Sequence, residues 1–191
     1  MNRKKFIATI SILGVGSIAS FYGYKIAKIK GNPDIEYLEN NKELIAELSE
    51  VIIPKTNTPG AKESNVFEYI IFAIKKSNDK AYKNNFINGL KDVQSYSENT
   101  YGKLFVNLDK KQKQEVVLHF KENGKNYSGS LGKVKNKILG KSFFSILKET
   151  TSIGYCTSKL GAKEGLAYQY VPTHFIGCTN YTKGQKSWAT K

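Results

Sequence analysis

Arginine is almost absent from this chain: Arg3 is the only one, and every other basic residue is a lysine. The formal net charge of +14 points first to an anionic partner such as nucleic acid or anionic lipid. Nucleic-acid surfaces, however, rely on the flat guanidinium fork that pairs with phosphate and guanine edges, and a lysine ammonium does not reproduce it. The lysines are also strewn among asparagines, as in Lys80-Ala81-Tyr82-Lys83-Asn84-Asn85. That is the composition of a solvated surface rather than of a binding stripe, and no nucleic-acid partner is expected.

Other scarcities leave no visible motif for holding a nucleotide, flavin or haem. With two histidines and two cysteines in 191 residues there is little to ligate a metal. Glu115 and His119 stand four apart on one helix face, but two ligands do not make a site. There is no C-x-x-C-H for covalent haem and no G-x-G-x-x-G after a strand. Two glycine-lysine pairs fail the phosphate-loop spacing. Gly140-Lys141-Ser142 has Lys135 where the first glycine belongs; Gly132-Lys133 has Tyr127 there, and Val134 in place of the hydroxyl residue. No catalytic, cofactor-binding or metal-binding residue is assigned to the chain.

What the sequence does contain starts with a leader, residues 1–30. Arg3-Lys4-Lys5 precede an uncharged run from Phe6 to Tyr24, closed by Lys25. At ~1.5 Å per residue, a helix over that run nearly matches a hydrocarbon core ~30 Å thick. It fits an export signal or a single anchor. Ser17-Ile18-Ala19 before Ser20 supplies a small-x-small cleavage pattern, and Gly14, Gly16 and Gly23 dilute the helix, which favours a signal peptide. The start Asn2-Arg3-Lys4-Lys5-Phe6-Ile7 also resembles a twin-arginine export signal, with Lys4 replacing the second arginine. The chain is accordingly expected in the periplasm, exported or held at the cytoplasmic membrane by residues 1–30.

Residues 31–191 read as one all-α domain, small and irregular with long loops, because no period-2 alternation is sustained. Asp34 caps a short helix through Tyr37 and Leu38. Leu44, Leu48, Val51 and Ile52 form an apolar stripe on a second helix, ended by Pro54. Residues 54–61 make a rigid Pro/Gly loop. Asn65 caps a helix burying Phe67, Ile70, Ile71 and Ile74. Ser77 or Asp79 starts the next, with Tyr82, Phe86, Leu90 and Val93 on one side. Asp109 caps a helix carrying Val116, Val117 and Phe120. Residues 123–132 read as an exposed, mobile loop, and a last helix runs from about Ser142 to near Gly154.

The segment from Ser142 to Thr190 holds both cysteines, the only tryptophan and one of the two histidines. A catalyst built on His174 and Cys178 would lack a third residue to orient the histidine. The cysteines leave three arrangements open: a Cys156–Cys178 disulfide, worth ~3 kcal/mol in the chain-entropy model; two free thiols; or a bridge to another polypeptide. Tyr155, Tyr168, Tyr170, Phe175, Tyr181 and Trp188 crowd this loop-rich stretch, as interface anchors do.

Four ordered stretches carry a resemblance. They are Ile53-Pro54-Lys55-Thr56-Asn57-Thr58-Pro59-Gly60-Ala61; Gly154-Tyr155-Cys156-Thr157-Ser158-Lys159-Leu160-Gly161-Ala162; Val171-Pro172 leading to Gly177-Cys178; and Trp188-Ala189-Thr190. Together they resemble the gluconate 2-dehydrogenase subunit 3 family over most of residues 44–190. The resemblance implies a non-catalytic small subunit of a periplasmic, membrane-associated dehydrogenase. It implies a large glucose-methanol-choline-type flavoprotein partner that binds FAD, and commonly a cytochrome c subunit with haem c. The small subunit would assist export, assembly and stability of the flavoprotein. Gly154, Tyr155, Thr157, Ser158, Gly161, Tyr170, Pro172, His174, Gly177, Cys178 and Trp188 would then be its partner-binding residues. Cys156 departs from the family pattern, which usually has an aromatic there, whereas Cys178 matches it. The competing reading is a stand-alone envelope protein that binds carbohydrate or a membrane surface.

Overall fold

The computed structural model describes residues 23, 27–124, 139–169, 178, 180 and 182–189. In chain order its helices are α1 (Ile35–Asn40), α2 (Lys42–Ile52), α3 (Val66–Lys76), α4 (Lys80–Tyr101), α5 (Lys110–Asn123) and α6 (Phe143–Thr157). A 3-10 turn spans Phe105–Asn107 and a π-helical turn spans Gly161–Gly165. Among the described residues there is no strand, only an isolated parallel bridge between Ala167 and Trp188. The expected all-α class holds. The leader, apart from residues 23 and 27–30, lies outside the described residues, as does the expected loop from 125 onward. No described helix is long and apolar enough to cross a membrane.

α6 is the central helix, in contact with α2, α3, α4 and α5. Its sequence dictates this. Phe143, Ile146, Leu147, Thr150, Thr151, Gly154 and Tyr155 are buried and recur at i, i+3, i+4, i+7, i+8, i+11 and i+12, a continuous helical stripe. Thr150 satisfies its buried hydroxyl by donating to the carbonyl of Ile146 at 2.8 Å. Around this stripe close Leu38, Leu44, Ile45, Leu48, Ile70, Ile74, Phe86, Leu90, Phe105 and Val116, all at most 1% exposed. Each such side chain contributes about 1.5–3 kcal/mol of apolar burial.

The expected caps at Asp34 and Asp109 are present, and the last helix starts at Ser142 as expected; each of the three side chains accepts a backbone N–H from the first turn of its helix. Asp79, not Ser77, starts α4, accepting from the Ala81 amide at 2.8 Å. Three expectations need correction. Asn65 precedes α3 but makes no side-chain cap bond; it sits in the left-handed region at φ 52°, where asparagine is better tolerated than most residues. Val66 rather than Phe67 is fully buried there, Phe67 packing only partly against the core. And α6 does not stop near Gly154 but continues to Thr157.

Candidate functional site

The loop that follows α2 is built around one carboxylate. Glu50, in the last turn of α2, accepts the Lys55 backbone N–H at 2.7 Å through one oxygen and the Lys62 N–H at 2.9 Å through the other. The Ala61 N–H returns to the carbonyl of Ile53 at 2.9 Å, closing the loop on itself. Gly60 passes so near that a Cβ there would lie 2.4 Å from both Glu50 oxygens and 2.6 Å from the Lys55 backbone nitrogen, so glycine lets the chain wrap the carboxylate without displacing the backbone.

The end of α6 is tied to this loop. The Tyr155 hydroxyl donates to the carbonyl of Pro59 at 2.8 Å in a buried bond. One residue earlier, a Cβ on Gly154 would meet Tyr69 at 2.9 Å and Val66 at 3.0 Å, so this glycine sets the close approach of α6 to α3. Beyond the helix, Ser158 bonds the Tyr155 carbonyl and receives the Gly161 N–H at 2.9 Å, joining α6 to the π-helical turn. Thr157 donates back to the Ile153 carbonyl at 2.8 Å. Gly154, Tyr155 and Gly161 are thus inside the fold. In the chain by itself these three residues serve packing.

Beside the loop, Glu47 of α2 takes the ammonium of Lys62 on one oxygen and that of Lys113 from α5 on the other, the latter at 2.8 Å. Burial raises the Glu47 carboxyl, and the hydrogen bonds from Lys113 and Lys62 more than reverse this, leaving it below the ordinary glutamate range. Glu47, Glu50, Val51, Pro54, Lys55, Lys110, Lys113 and Gln114 line a cleft of about 310 Å³. A depressed carboxylate held by two ammonium groups is a poor general base, and Glu50 spends both oxygens on backbone donors. The cleft therefore organises charge and chain path. Nothing in the sequence singled out Glu47 or Glu50; the one available signal was a glutamate in the last helical turn before a proline-bounded loop.

A model of the gluconate 2-dehydrogenase subunit 3 family matches residues 39–173. The chain belongs to this family. The matched span takes in α2 to α6, the Glu50 loop and the Tyr155 tie, where the first two stretches of the resemblance meet in space. The family is that of a small, non-catalytic subunit of a dehydrogenase complex. No curated protein and no solved structure matches the chain.

His174, Gly177, Cys178 and Trp188 lie beyond the span matched by the subunit 3 model. Tyr170, Pro172, His174 and Gly177, with Phe175 and Tyr181, lie outside the described residues. Trp188 is 60% exposed and Tyr168 is 40% exposed. The segments that carry them are joined at Ala167, which donates to the Ser187 carbonyl and accepts from the Ala189 N–H, both at 2.8 Å. Cys156 and Cys178 are both free and exposed, so the entertained disulfide between them is not formed here. The Glu115 carboxylate accepts the Tyr101 hydroxyl at 2.8 Å, while His119 stacks on Tyr96 at 4.1 Å and meets Asn123 at 2.8 Å. These two residues turn to different partners. Among the described residues, no group of three or more His, Cys, Asp or Glu side chains is placed to hold a metal ion.

Proposed function

We propose that this chain is the non-catalytic small subunit of a periplasmic, membrane-associated, flavin-dependent dehydrogenase of the glucose-methanol-choline type, such as gluconate 2-dehydrogenase. It assists export, assembly and stability of the catalytic flavoprotein. The observation that carries this reading is the family match across residues 39–173. The partner binds FAD and a cytochrome c subunit takes the electrons, while the leader carries the subunit to the membrane.

The exposure of Tyr168 and of Trp188 supports a docking role for the C-terminal segment. Large aromatics at 40% and 60% exposure are the side chains from which interface anchors are drawn. The decisive experiment is a mild-detergent pull-down of the tagged chain from its native membranes, followed by mass spectrometry. A flavoprotein should co-purify in near-stoichiometric amount. Its absence, or turnover of sugars with a dye acceptor by the isolated chain, would overturn the reading. Replacing Tyr168 and Trp188 together with alanine should weaken the association by about 30-fold or more, as for loss of an anchor worth ~2 kcal/mol. Far-UV circular dichroism should remain unchanged.

A further inference from the structure

Two consecutive asparagines on α4 hold two distant parts of the chain at one end of the molecule. Asn84 donates its amide to the carbonyls of Ile29 at 2.7 Å and Gly31 at 2.8 Å. Asn85 donates to the carbonyls of Leu139 at 2.7 Å and Lys141 at 3.0 Å. Between these, Gly140 lies against Ala81 and Asn85. Asn84 is 5% exposed, and a buried amide that spends both N–H groups on one strand of chain fixes that strand's path. Residues 27–31, the first turns of α4 and residues 139–141 therefore form one face. The chain arriving at it carries the uncharged run Phe6–Tyr24 only a few residues upstream.

This face is basic. Lys28 and Lys30 are exposed, and Lys83, half-buried, stands on α4 one residue before Asn84. The Lys80 ammonium rests on the neutral Asn32 side-chain oxygen at 3.3 Å. Lys141 is neutralised by Glu149 at 2.7 Å. Asp79 caps α4 beside Lys80 and Asp34 is paired with Lys91 at 2.8 Å, so the lysines of this face outnumber its unpaired carboxylates. The opposite end of α4, 22 residues along, lies about 30 Å away at ~1.5 Å per residue.

We propose that this end of the molecule lies flat against an anionic phospholipid bilayer, with Lys28, Lys30, Lys80 and Lys83 reaching the headgroups. An apolar run long enough to enter a bilayer delivers the body to the surface at this face, and Asn84 prevents the body from swinging away. Basic residues beside a membrane insertion point gain attraction from anionic headgroups, and lysine stems extend far enough to place the ammonium among them. The inference rests on the single-anchor alternative for residues 1–30, in which the apolar run is retained, and not on the identity of the flavoprotein.

The test is lysine acylation footprinting of the full chain on vesicles. Mixed phosphatidylglycerol–phosphatidylcholine vesicles are compared with phosphatidylcholine alone. On the anionic vesicles, acylation of Lys28, Lys30, Lys80 and Lys83 should slow several-fold and recover in high salt. Lys103, Lys110 and Lys111, at the far end, should react at the same rate on both. The Lys28→Gln, Lys30→Gln, Lys83→Gln variant should lose the protection of Lys80, and a Lys103→Gln, Lys110→Gln, Lys111→Gln variant should keep it. Equal labelling on both vesicles, protection at the far end, persistence of Lys80 protection in the first variant, or failure to associate with anionic vesicles would each overturn the proposal. A chain that pulls down a flavoprotein yet gives no footprint loses only this face; one that gives the footprint without a flavoprotein loses only the partner.

Discussion

Tyr155 shows how a residue changes meaning when its surroundings are known. As one of six aromatics in a loop-rich segment it reads as an interface anchor, yet it is 7% exposed and its hydroxyl reaches Pro59, 96 residues away in sequence. No local pattern announces a bond of that separation. Replacing Tyr155 with phenylalanine leaves the buried Pro59 carbonyl without its donor and should cost about 1 kcal/mol. The check is urea denaturation, with a lower midpoint and an unchanged slope. Tyr168→Phe, at an exposed position, should leave the midpoint where it is. Cys156 keeps its oddity: it is free on the exposed side of α6, and nothing in the structure explains it.

At the scale of elements, helix beginnings are legible because they depend on a side chain and its next three residues. Asp109 and Gln112 illustrate this: the Gln112 N–H donates to Asp109 at 2.9 Å and the Asp109 N–H to Gln112 at 3.2 Å, a reciprocal capping box. Asp109→Ala should destabilise the protein by about 1 kcal/mol, measured as a fall in the denaturation midpoint. Asn65→Gly should be close to neutral, since Asn65 caps nothing and its φ of 52° suits glycine. Helix ends are harder. Gly154 looks like a stop signal, but its missing side chain serves the contact with Val66 and Tyr69 on α3, and the helix runs on to Thr157. A glycine that ends a helix and one that admits a neighbouring helix look alike until the neighbour is placed.

At the scale of the whole molecule, Glu47 links three parts of the chain: α2, the turn after Gly60 through Lys62, and α5 through Lys113. Its carboxyl is lowered in the fold, where the bonds from the two lysines outweigh the effect of burial. A depressed carboxyl contributes stability that is fully present above its unfolded value, near the ordinary 4.5, and is lost as pH falls through the lower folded value. Stability should therefore drop below about pH 4.5, and Glu47→Gln should flatten that part of the profile while lowering stability at neutral pH. Denaturation midpoints across an acid series would show it; an unchanged acid limb in the variant would contradict the assignment. The sequence by itself determined the all-α class, three of the capped helix starts, the apolar stripes and the family, because each depends on neighbours within a turn or two or on ordered motifs. Only the tertiary structure decided that Glu50 holds the loop, that Gly154 and Tyr155 face inward, and that Asn84 and Asn85 gather residues 29–31 and 139–141 onto one face. Those roles arise from contacts between residues far apart in the chain, where the partner is chosen by packing and not by spacing.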